Sequence, residues 1–106
     1  MIKKVYEYSS KQHAPCETYR KIFESITDIE KFKELEFKQL DIEENELDVE
    51  KYGIKVLPAT IFIDENGEMI YKLSGNIPLN DLVAITEDFL KRNKNDVIKD
   101  TEKWVG

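Results

Sequence analysis

The chain has 106 residues, 41% of them hydrophobic, and a formal net charge of −6. This length supports one domain with a modest core. The acidic balance argues against a nucleic-acid module, which needs a basic face for phosphates, and gives no support to membrane-surface binding. No apolar run approaches the ~18 residues of a membrane-spanning helix, and the N-terminus lacks a signal-peptide layout. One cysteine, Cys16, excludes an intrachain disulfide, and one histidine, His13, excludes most single-chain zinc sites.

Residues 2–8 carry β-branched and aromatic side chains at strand density. Alternation there sets Val5 and Glu7 on one face and Tyr6 and Tyr8 on the other. A polar loop follows from Ser9, and Pro15 opens a helix, its fixed φ suiting the first helical turn. Tyr19, Ile22, Phe23, Ile26 and Ile29 form an apolar stripe at helical spacing. A second strand is predicted over 35–42, then a brief helix within 43–52 with Leu47 facing inward, together with Val49 or Tyr52, and closed by Gly53. Apolar runs at 59–63 and 69–73, joined through Asn66-Gly67, predict a hairpin, since both turn residues tolerate positive φ. A last helix is predicted over 78–91, with Leu79, Leu82, Val83, Thr86, Phe89 and Leu90 as its stripe. The order β-α-β-α-β-β-α, with a right-handed crossover after the first strand and an antiparallel closing hairpin, gives a mixed α/β sheet flanked by helices. The domain is expected over 1–92, with 93–106 a tail or a short docked helix in which Trp104 packs on the core.

Two segments resemble a known family. Tyr8-Ser9-Ser10-Lys11-Gln12-His13-Ala14-Pro15-Cys16 resembles the Trp-Cys-Gly-Pro-Cys loop of thioredoxins, with His13 at the place of the first cysteine. Lys51-Tyr52-Gly53-Ile54-Lys55-Val56-Leu57-Pro58-Ala59-Thr60 is similar to the family's Lys-Tyr-Gly-Ile/Val-x-x-Ile-Pro-Thr run. The likeness covers roughly 2–91. It implies a thioredoxin-like fold in a minimal form, with the family's leading strand and helix missing and a four-stranded sheet in the order 2-1-3-4.

The resemblance assigns chemistry residue by residue. Cys16 takes the place of the resolving cysteine, so dithiol exchange, which needs two sulfurs, is not open to the chain alone. Any redox role is of monothiol type, with glutathione, a protein or peptide thiol, or a second copy supplying the other sulfur. The first helical turn favours a thiolate, and His13, three residues earlier, is placed to take the thiol proton. Glu7 matches the buried acid below the family's active site, a candidate acid/base whose pKa burial raises; the family's lysine on the neighbouring strand is replaced by Gln39. Pro58 matches the cis-proline, and the backbone of Leu57 the edge on which an extended substrate docks. With Ala59, Ala14, Pro15 and Tyr8 they would line a shallow apolar groove.

Plainer readings stand beside these. Cys16 is a small buried hydrophobe under the loop, His13 a solvated loop residue, and Glu7 an outward-facing strand residue. His13 and Cys16 are also half of a metal site that a dimer could complete, though no metal or other cofactor is implied. If His13 replaces a cysteine of a parent protein, that parent is a dithiol reductase. The functions expected are therefore a divergent thiol–disulfide redox protein, catalytic activity left open, or a redox-silent peptide-binding module, in either case cytoplasmic, with neither nucleic acid nor membrane as partner.

Overall fold

The computed structural model describes residues 1–94. Its elements are β1 (Ile2–Ser9), α1 (Ala14–Thr27), β2 (Glu36–Asp41), α2 (Glu46–Lys51), β3 (Ala59–Asp64), β4 (Met69–Ser74) and α3 (Leu79–Lys94), with 3-10 turns at Glu30–Phe32 and Ile42–Glu44. The four strands form one sheet in the order β2-β1-β3-β4. β1 runs parallel to β2 and antiparallel to β3, and β3 antiparallel to β4. A parallel neighbour requires a crossover, and α1 supplies it. This is the thioredoxin-like α/β architecture that the resemblance, together with the element order, implied.

Period-two alternation divides β1 between two cores. Val5 packs with Ile2, Tyr19, Phe23, Ile26, Phe32, Phe62 and Leu82 on the face covered by α1 and α3. Tyr8 packs on the other face with Tyr52, Ile54, Ala59, Ile61 and Ile63, beside α2. β3 lies between two strands and under both layers, and all its residues but Asp64 are buried. Its unbroken apolar run has that cause. Each large side chain wholly buried in these clusters contributes about 1.5–3 kcal/mol.

Several local expectations are corrected. α1 starts at Ala14, with Pro15 inside its first turn, and ends before Ile29, which opens the following 3-10 turn while still packing on the core. Leu47 is 82% exposed. α2 has only six residues, too few to turn a wide apolar stripe inward, and Val49 and Tyr52 make its core contacts instead. The α2 terminus is a Schellman arrangement: the Gly53 amide donates to the Glu50 carbonyl and the Ile54 amide to that of Val49, with Gly53 at φ +59°. In the hairpin only Gly67 has positive φ, +82°, and Asn66 does not. The Asp64 carboxylate accepts the amides of Asn66 and Glu68, which stabilises a longer turn, and the β3–β4 register shifts between Phe62 and Ile63. α3 runs from Leu79 to Lys94, past the helix end expected at 91. The expectations for Trp104 and the rest of 95–106 lie outside the described residues.

Candidate functional site

β1 ends at Ser9, and the chain turns over four residues before α1 begins. The His13 amide donates to the Ser10 carbonyl at 3.2 Å, and the Cys16 amide to the His13 carbonyl at 3.0 Å. His13 is the N-cap residue in extended conformation, yet its side chain makes no capping bond. The ring instead places Nδ1 3.1 Å from Cys16 Sγ. At this distance the two atoms share a hydrogen bond in which either is the donor, according to the ring tautomer. Cys16 is fully buried, while His13, Ala14 and Pro15 are exposed. A covered sulfur meets a second reactant only when the loop above it opens.

Glu7 pairs with Gln39 of β2 on one side and Thr60 of β3 on the other. It points into the α1–α3 core and is wholly buried, so the outward-facing reading is wrong. Among the described residues neither carboxyl oxygen has a hydrogen-bond partner. Its neighbours are engaged elsewhere: Thr60 Oγ1 lies 2.6 Å from the Tyr19 hydroxyl, and Gln39 Nε2 donates to the Arg20 carbonyl at 3.0 Å. Burial raises the Glu7 pKa, opposed in part by the polar side chains of Ser9 and Gln39 and by the charge of Arg20. The Tyr19 hydroxyl is pushed up to about 12, burial being the main cause. No hydrogen bond joins Glu7 to Cys16 or His13. They are linked through α1, where Cys16 stands one turn before Tyr19 and Arg20.

The Leu57–Pro58 peptide is cis. Ala59 pairs with Tyr8 at the C-terminal end of β1, so Pro58 and the His13–Cys16 loop share one end of the sheet. Pro58 is buried, and its carbonyl accepts the Gly75 amide at 2.7 Å. Leu57 is half-buried against the α2-side cluster. Among the described residues its amide and carbonyl make no hydrogen bond. The expected groove needs correction. Tyr8 and Ala59 are wholly buried, and the Tyr8 hydroxyl donates to Asp48 at 2.7 Å on the α2 side. The accessible apolar surface at this end comes from Ala14, Pro15 and Leu57, joined by Val56, 53% exposed. Val56 was missed, although its place beside Leu57 in an apolar run was a usable signal.

Sequence reasoning also passed over Arg20, half-buried on α1, whose guanidinium reaches back to the loop. Among the described residues no three His, Cys, Asp or Glu side chains gather in a metal-binding arrangement, and no helix is long and apolar enough to cross a membrane.

Comparison with known proteins agrees with this geometry. The profile of the thioredoxin-like domain matches residues 5–90. The thioredoxin of Malassezia sympodialis, Mala s 13, is 26% identical, with a TM-score of 0.70 over 79% of this chain and 72% of that one. Fasciola hepatica thioredoxin is 24% identical, with a TM-score of 0.67 over 79% of this chain and 78% of its own. The germline-specific thioredoxin Deadhead of Drosophila melanogaster is 16% identical, with a TM-score of 0.70 over 80% and 78%. No curated protein matches the chain by sequence. With the profile spanning both the His13–Cys16 loop and the Pro58 turn, the chain belongs to the thioredoxin-like domain family.

Proposed function

We propose that this protein is a monothiol thiol–disulfide redox protein acting on extended peptide segments of partner proteins. Family membership supports a redox or binding role in general terms. The single observation that carries the redox reading is the 3.1 Å approach of His13 Nδ1 to Cys16 Sγ at the start of α1.

In this reading His13 takes the thiol proton, and the Cys16 thiolate attacks one sulfur of a partner disulfide. That S–S bond breaks, the departing sulfur leaves as a thiolate, and a mixed disulfide joins Cys16 to the partner. Cys16 is the only cysteine. Glutathione or a partner thiol therefore attacks the mixed disulfide and releases Cys16 as a thiolate, which regains its proton. Glu7, behind the loop, is the second acid/base group. Leu57, next to the buried Pro58, forms the docking edge with Ala14, Pro15 and Val56, because the amide and carbonyl of Leu57 suit an added extended strand. A cytoplasmic setting fits a lone thiol kept reduced by glutathione.

The full burial of Cys16 favours a second reading, in which the same edge binds peptide and the cysteine only fills space. Incubating the folded protein with oxidised glutathione and weighing it intact separates the two. The redox reading predicts one glutathione adduct on the native protein and none on Cys16→Ser. An adduct that forms only after denaturation supports the binding module.

A further inference from the structure

The imidazole of His13 is exposed, and among the described residues its ring contacts no hydrogen-bonding group except Cys16 Sγ. Its place over the sulfur is therefore set by the backbone of the Ser9–His13 loop. That loop is held from α1. Arg20 Nη2 donates to the Ser10 carbonyl at 2.8 Å, and Nε donates to Ser9 Oγ at 3.3 Å. The Ser10 carbonyl is the oxygen that also accepts the His13 amide, so one acceptor serves both the guanidinium and the loop turn. The Arg20 carbonyl accepts Gln39 Nε2 at 3.0 Å, which ties this turn of α1 to β2. A continuous chain of hydrogen bonds thus runs from β2 through Arg20 and Ser10 to His13 and the sulfur.

We infer that Arg20 is a positioning residue, whose forked contact with Ser9 and Ser10 holds His13 on Cys16. Arginine suits the task because its planar guanidinium offers several donors at fixed spacing, whereas a lysine ammonium meets one point. Among the described residues Arg20 forms no ion pair, although its charge acts on Glu7 and the carboxylates of Asp41 and Glu44 line the cavity beside it. That cavity, of about 280 Å³, is lined also by Ser9 and Gln39. The inference rests on His13 and Cys16 being a working pair, as proposed above.

The sole histidine makes the test direct, since the ring nitrogens of His13 give unambiguous ¹⁵N NMR signals. In the wild-type background Cys16→Ala is expected to shift these signals, because the ring loses its partner. In an Arg20→Ala background the same Cys16→Ala change is expected to produce less than half of that shift, and Arg20→Lys to recover part of it. An equal shift in both backgrounds overturns the inference. If Arg20→Ala does not fold, Arg20→Gln is read by the same criterion. A ring unmoved by Cys16→Ala in the wild type removes the pair, and with it both this inference and the redox reading. Dependence on Arg20 together with failure of the glutathione reaction leaves the positioning role standing and removes only the redox reading.

Discussion

Glu7→Met is expected to stabilise the folded protein at neutral pH by about 1–3 kcal/mol, the usual cost of a buried polar group without a partner. Methionine fills a similar volume and removes both orphaned oxygens. The wild type should also show a pH dependence that the variant lacks. Burial raises the folded-state pKa of Glu7 above its ordinary value of 4.5. Below 4.5 both folded and unfolded chains hold the proton, and ionisation adds no penalty to that of the buried neutral group. As pH rises past that value, the unfolded chain releases its proton while the fold retains it, so folding stability falls until the folded-state value is passed. Urea midpoints measured from about pH 4 to about pH 8 test this. The wild-type midpoint should decline relative to that of Glu7→Met, and parallel curves would refute the assignment.

Phe23→Ala should cost about 3–5 kcal/mol, the range for truncating a buried aromatic ring. Phe23 is wholly buried, with ring centroids 6.4 Å from Tyr19 and 5.8 Å from Phe37. It fastens α1, and with it Cys16, to the sheet. Against a typical total of about 5–15 kcal/mol for a domain, the loss brings the fold close to its threshold. Urea unfolding reads the stability directly.

Much of the fold was legible because burial imposes periodicity. Val5 and Glu7 share a face by strand alternation, and Tyr19, Phe23 and Ile26 fall in one stripe of α1. The parallel pairing of β1 with β2 followed from a connection long enough to hold a helix. The misreadings arose where local pattern carries less information. Leu47 sits in a six-residue helix, too short for spacing to fix a face. The hairpin turn depended on the Asp64 carboxylate capturing two amides, which a positive-φ dipeptide does not reveal. Tyr8 was expected in the groove because it adjoins the loop in sequence, but its hydroxyl is drawn to Asp48, forty residues away.

In the candidate site, His13 and Cys16 were readable together because three residues across a helix start bring side chains within reach. Arg20 was not, because its role depends on a loop carbonyl ten residues earlier, met only through tertiary folding.

The central claim is that His13 makes Cys16 a reactive thiol despite its burial. Its most direct test is the second-order rate of Cys16 alkylation at neutral pH in the native protein, beside the same chain in denaturant and beside native His13→Ala. The native wild type should react faster than the unfolded chain, and His13→Ala should lose this advantage. A native thiol that stays protected until denaturation, whatever stands at position 13, would contradict it.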